Sequence, residues 1–177
     1  LGIMDEKNER IPQGYFSKIT PRTHAGRGIR SIAKKIDGTV NLLAGLHSLS
    51  NMILEAVPYC LAKTTAKTTA EEAFNAGVGV CQDHAQIFIA AARQLGIPAR
   101  YVSGYLLRND IVSQEASHAW AEAYVDGLGW VGFDVSNGVS PDEKYVRIAV
   151  GRDARDAAPT EGMRMGDAAE QMIVSLQ

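Results

Sequence analysis

A chain of 177 residues with 46% apolar and 21% charged side chains has the length of one domain and enough apolar material for a sizeable core, which excludes disordered, collagen-like and coiled-coil chains. Eighteen Lys and Arg against twenty Asp and Glu give a net charge of -2 without a basic stripe, so no nucleic-acid partner is expected. The most apolar stretch, 40 to 57, is broken by Asn41, His47, Ser48, Ser50 and Asn51, so no membrane span is expected either, and two cysteines are too few for a disulfide scaffold and suit a cytoplasmic setting.

Residues 1–20 place Pro12 and Gly14 among polar clusters, which predicts an extended lead-in, with one folded domain over 21–177. A helix from Pro21 or Thr23 to Ile36 is expected, weakened by Gly26 and Gly28. Over 39–57, Leu42, Leu46, Leu49, Ile53 and Ala56 recur at steps of three and four, laying an apolar stripe along a helix that Pro58 ends. The KTTAKTTA segment from Lys63 to Ala70 reads as a linker. Thr68 and Thr69 before Glu71 and Glu72 offer a capping box for a short helix closed by Gly77. Beyond Cys81, the residues Ala85, Phe88, Ala92 and Leu95 line one face of a helix that stops at Gly96-Ile-Pro98. Strands are then expected at Ala99 to Leu107, Ser117 to Val125, Trp130 to Val135, Tyr145 to Val150 and Gln171 to Leu176. Helices first and strands second, with short connections, indicate an α+β fold on an antiparallel sheet.

The expected chemistry begins at Cys81. A thiol at a helix N-terminus meets unpaired backbone N–H groups and the positive end of the dipole, which favour negative charge on sulfur. Gly77 and Gly79 before it permit unusual turns and close approach of a substrate. A nucleophilic cysteine needs a base, and the base needs an orienting group. In Ser117 to Val125, period two places His118, Trp120, Glu122 and Tyr124 on one face and alanines on the other. Asp126-Gly-Leu-Gly129 is a turn signal leading into Trp130, Gly132 and Asp134. If paired numbers sum to an even value, as for Tyr124 with Trp130, Asp134 falls opposite Trp120 and one diagonal step from His118, roughly 7 to 8 Å between backbones. A one-residue slip would send Asp134 to the other face.

Four blocks in order, Gly77-Val-Gly-Val-Cys81-Gln-Asp-His84, Gly96-Ile-Pro-Ala-Arg-Tyr-Val-Ser-Gly-Tyr105, Ser117-His-Ala-Trp120 and Gly129-Trp-Val-Gly-Phe-Asp134, resemble the bacterial branch of the transglutaminase-like cysteine peptidase superfamily. The resemblance covers roughly residues 40 to 138, and Tyr145 to Asp156 looks like the tail of such domains. It implies a papain-like catalytic core with Cys81 as nucleophile, His118 as general base and later acid, and Asp134 as the group that orients His118. It also implies that residues 1–20 are the end of an upstream β-rich domain that this chain lacks. Where relatives commonly carry an aromatic residue three positions after the cysteine, this chain has His84, and Gln86 stands where histidine is frequent.

The expected reaction is acyl transfer on amide bonds of a protein or peptide through a thioacyl enzyme, resolved by water or by an amine. The backbone N–H of Cys81 is the natural first oxyanion donor and Tyr59 the candidate second; a packing role for Tyr59 reads equally well. Trp120 and Trp130 either wall the cleft or fill core, and Gln82 and Asp83 read as helix caps. Two rival readings stand. Cys81, His84, His118 and Asp134 satisfy a tetrahedral metal count, although no second close ligand pair exists. A non-catalytic binding module is the other, disfavoured because all three triad positions are filled. No Asp-rich loop of calcium-binding spacing is present, and no cofactor is implied. His24 reads as structural or solvated, His47 as a satisfied core histidine, and Cys60 as a buried small hydrophobe.

Overall fold

A computed structural model describes residues 3–4, 11–36, 41–107 and 117–159. Among the described residues four α-helices precede most of the sheet: α1 (Arg27–Ala33), α2 (Leu42–Ala56), α3 (Ala70–Ala76) and α4 (Cys81–Gln94). The strands are β1 (Ile3–Met4), β2 (Ala99–Leu106), β3 (His118–Val125), β4 (Gly129–Phe133) and β5 (Tyr145–Gly151). They form one antiparallel sheet in the order β1-β4-β3-β2-β5. This is the α+β architecture expected; the strand expected over 171–176 lies outside the described residues.

Helix α4 is the axis of the packing. Residues 83 to 93 are all buried, so the helix is enclosed on every side rather than along the single stripe that its sequence suggested. The sheet lies on one flank through Ala119, Ala121 and Ala123, and α1, α2 and α3 cover the rest. Alanines at alternate positions of β3 let the helix approach closely, while Phe88 stacks on Phe133 of β4 with ring centroids 4.8 Å apart.

Local signals set most boundaries. Thr69 and Glu72 form the expected capping box at α3, and Gly77 ends that helix with φ +65°, a conformation that favours glycine. Asn41 caps α2, accepting from the Ala44 N–H at 3.0 Å. Helix α1 is shorter than expected and begins only at Arg27. The carboxylate of Glu71, reaching across from α3, accepts from the N–H groups of Gly26 and Gly28 at 2.9 and 2.8 Å and supplies the missing cap. Both glycines are needed for that approach, since a Cβ at Gly26 would collide with the Glu71 side chain and one at Gly28 would lie 2.6 Å from the Phe74 ring.

The lead-in is bound into the domain. Gln13–Ser17 form a 3₁₀ turn instead of an extended segment, and Phe16 is fully buried, edge-on to Trp130 at 5.3 Å. Arg93 of α4 donates to the Phe16 carbonyl at 2.8 Å, to Thr23 Oγ1 at 2.7 Å, and to the carbonyls of Ala99 and Arg152 at 2.8 and 2.9 Å. Its burial pushes the guanidinium down to about 10, and four acceptors satisfy it. His47 proves exposed, resting at 5.1 Å from Phe133, and Cys60 is half-buried rather than sealed in the core.

On the sheet face away from α4, Arg100 and Glu122 are cross-strand neighbours joined at 2.6 Å and almost wholly excluded from solvent. The guanidinium also lies 4.1 Å from the Trp130 ring. The even-numbered face of β3 is therefore a second packed layer and not a solvated one. Breaking a buried pair leaves a charge without compensation, so Glu122→Ala should cost about 3 to 5 kcal/mol in denaturant unfolding. A midpoint equal to that of the parent would refute this.

Candidate active site

The observed hairpin register pairs Tyr124 with Trp130, Glu122 with Gly132 and Ala121 with Phe133, which is the even-sum register on which a His118–Asp134 meeting depends. Asp134 follows β4 directly and continues as an isolated bridge to Val139, with N–H to carbonyl bonds of 2.9 and 3.2 Å. His118 is the first residue of β3. Their side chains meet as expected: His118 Nε2 lies 2.6 Å from Asp134 Oδ2. A carboxylate accepts, so Nε2 carries the proton and Nδ1 is left for Cys81.

Cys81 is the first residue of α4, half-buried and reduced. The helix start is held by Asp83, whose Oδ2 accepts from the Val80 N–H at 2.9 Å and from Thr64 Oγ1 at 2.6 Å. The Lys63 to Ala70 linker is thereby tied to the nucleophile turn. Gly79 serves this turn more than a substrate, because a Cβ there would sit 2.8 Å from the Cβ of Asp83.

The electrostatics follow from these contacts. Burial pulls His118 down, but hydrogen bonds to Asp134 and Cys81 and their charges outweigh it and hold the imidazole at about 9, against an ordinary 6.5. Burial likewise would raise Asp134, yet the bond and charge of His118, with donors from Asn137 and Tyr145, keep it below the usual carboxylate range. Because His118 is raised on folding, its stabilising contribution is complete below pH 6.5 and lost as pH climbs through about 9. Unfolding free energy should therefore fall between pH 7 and 10 in the parent and fall less in His118→Ala; equal slopes would contradict the placement.

Three residues not singled out from the sequence complete the setting. Tyr145, the first residue of β5, donates its hydroxyl to Asp134 Oδ2 at 2.8 Å, and its ring stands 6.0 Å from His118 and 5.4 Å from Trp120. Burial and the charge of Asp134 push its phenol well up, so it stays a donor. Asn137 gives Asp134 two more bonds, Nδ2 to Oδ2 at 2.6 Å and backbone N–H to Oδ1 at 3.2 Å. Ser136, between them, bonds His84 at 2.7 Å. The Asn137-Gly138 turn signal after Asp134 was the legible clue to Asn137; nothing local marks Tyr145, which arrives from another strand.

Trp120 walls the site beside His118 at 6.3 Å, whereas Trp130 fills core against Arg100 and Phe16. Gly104, paired with His118 at an irregularity in β2, has no room for a Cβ, which would strike the Val146 carbonyl and the Trp120 ring. Tyr59 bridges Gly79, is half exposed, and has its phenol raised by burial and by the proximity of Cys81 and Asp134. Its ring lies 6.2 Å from that of His84, one turn beyond Cys81. His84 does not join a metal set: its ring nitrogens are occupied by Val57 and Ser136. Among the described residues no group of three or more His, Cys, Asp and Glu is placed to hold a metal ion, which corrects the four-ligand alternative. Among them, too, no helix is long and apolar enough to cross a membrane.

Comparison with known proteins bears on the fold and the family. The Transglutaminase-like superfamily model matches residues 30–135. An uncharacterized protein of Mycobacterium leprae (strain TN) is 36% identical over 182 aligned positions, covering 100% of this chain and 62% of its own length. An uncharacterized protein of Mycobacterium bovis is 33% identical over 132 positions, covering 69% of this chain and 42% of its own. The chain thus spans less than two thirds of these relatives. Among solved structures, a candidate cysteine protease from Cytophaga hutchinsonii superposes with a TM-score of 0.70 at 30% identity, over 88% of this chain and 55% of that one. The periplasmic domain of TgpA from Pseudomonas aeruginosa, at 23% identity and a TM-score of 0.50 over 70% of this chain and 51% of that one, shares the fold. With a matched segment that runs from α1 through Asp134, the chain belongs to the transglutaminase-like superfamily.

Proposed function

We propose that this chain catalyses cysteine-protease-like acyl transfer on amide bonds of a peptide or protein, with Cys81 as nucleophile, His118 as base and acid, and Asp134 as the orienting carboxylate. The observation that carries the reading is the 2.6 Å bond between His118 and Asp134 at the mouth of the helix that Cys81 opens. Superfamily membership and the likeness to a candidate cysteine protease support it.

In the proposed sequence, His118 holds the proton drawn from Cys81 before attack, and Sγ bonds to the carbonyl carbon as the carbonyl π electrons move onto oxygen. The oxyanion faces the Cys81 backbone N–H, which as the first helical N–H has no intrahelical partner, and the protonated Tyr59 hydroxyl. Collapse breaks the C–N bond, and His118 delivers its proton to the departing amine. The thioester left on Cys81 is then attacked by water or a primary amine, His118 accepts the incoming proton, and the C–S bond breaks. Hydrolysis and transamidation differ only in this acceptor.

The test is to trap the thioacyl enzyme from a peptide library by mass spectrometry, in the parent and in Cys81→Ala. An acyl adduct on Cys81 that disappears in the variant is expected; an adduct that persists assigns the nucleophile elsewhere. Tyr145→Phe removes one of the donors to Asp134 and should lower kcat roughly tenfold, about the rate equivalent of one hydrogen bond to a charged group. An unchanged kcat would show that Asn137 and His118 suffice.

A further inference from the structure

His84 is one turn beyond Cys81 on α4, so the two share a helix face. It is 1% exposed, and both of its ring nitrogens are engaged. Nε2 lies 2.7 Å from the carbonyl oxygen of Val57, the residue that ends α2, and a carbonyl only accepts, so Nε2 bears the proton. Nδ1, 2.7 Å from Ser136 Oγ, is then the acceptor of the serine hydroxyl. Val57 leads into the segment that carries Tyr59, and Ser136 lies in the turn between Asp134 and Val139. One imidazole therefore joins three separate pieces of the site: the Cys81 helix on which it rides, the Tyr59 segment and the Asp134 turn.

We propose that His84 is a positioning residue for the acyl-transfer site, acting as a neutral Nε2–H imidazole that fixes the Asp134 turn and the Tyr59 segment against the first turn of the Cys81 helix. The inference rests on the function proposed above and adds to it a residue that touches no substrate. The groups facing His84 are Asp83 and Asp134, whose charges favour its protonation, and the Tyr59 ring at 6.2 Å. Burial outweighs both carboxylates and lowers the imidazole from its ordinary value, so it is neutral where the site operates. The hydroxyl and the carbonyl fit that neutral form without adjustment.

Ser136 is only half-buried, so it can be changed without opening the core. Ser136→Ala should reduce kcat about tenfold or more with KM within twofold, because small misplacements of reacting groups act on the chemical step, and Ser136→Thr should restore it. In parallel, nitrogen-resolved NMR of the parent should show His84 as the Nε2–H tautomer, titrating below 6.5 if at all. An Nδ1–H tautomer, a normal or raised titration, or a Ser136→Ala enzyme with parental kcat would overturn the inference. So would a loss that Ser136→Thr leaves unrepaired. If Cys81→Ala keeps its activity, the proposed function itself has failed; if Cys81→Ala is inactive and Ser136→Ala is not impaired, only the role of His84 has.

Discussion

Cys81→Ala is expected to abolish amide-bond turnover, by on the order of 10⁶-fold, the loss found when the nucleophile of a triad acting as a unit is removed. The fold should survive. Cys81 is half-buried at the start of a helix whose first turn is held by Asp83 and Thr64, and none of those bonds involves the sulfur. Far-ultraviolet circular dichroism and a kinetic assay on the same preparation check both halves of this statement. Residual turnover within tenfold of the parent would mean that the sulfur does not form the covalent intermediate.

Asp134→Asn should be nearly as severe, on the order of 10⁴-fold in kcat, for a tautomeric reason. The carboxylate accepts from His118 Nε2, from Asn137 and from Tyr145. An amide there can turn its NH₂ toward His118, which then bonds through an unprotonated Nε2 and places the proton on Nδ1. That nitrogen is no longer able to take the Cys81 proton. The substitution also removes the charge that helps hold His118 at about 9. In the parent, kcat/KM should decline above that pH as the imidazolium needed to protonate the leaving amine is lost, and in Asp134→Asn the decline should move to lower pH. A basic limb at the same position in both proteins would contradict the pairing.

How much of this was legible in the sequence depended on how local the cause was. Period two in β3 and the Asp126-Gly-Leu-Gly129 turn reduced the meeting of His118 with Asp134 to one condition, an even-sum register, which the hairpin meets. The capping box at Thr69 and the Gly96 stop of α4 were local as well. Helix α1 was overextended because its cap is Glu71 from a different helix, a partner that no window of neighbouring residues contains. Glu122 seemed to belong to a polar face, but Arg100 on the adjacent strand neutralises it inside the protein. His47 and Cys60 meet more solvent than their sequence surroundings predict, because apolar neighbours in sequence do not decide which side of a helix or loop faces water. The Tyr145 bond spans 11 residues and the two bonds of His84 span 27 and 52, and only the assembled fold reveals them.

The two positions that depart from the expected resemblance, His84 and Gln86, acquire a physical meaning in the same way. His84, where the sequence resemblance leads one to expect an aromatic residue, presents a planar ring 6.2 Å from that of Tyr59 in an edge-on contact while adding two polar bonds. Gln86 is buried, and its amide nitrogen reaches the Thr68 carbonyl at 3.3 Å, joining α4 to the segment that leads into α3.

The rate of Cys81 alkylation by iodoacetamide as a function of pH, in the parent and in His118→Ala, tests the thiol–imidazole partnership most directly. The parent should react faster than the variant at pH 7, because the variant lacks the imidazole that bonds the sulfur. Superimposable profiles would show that the imidazole has no hold on the sulfur.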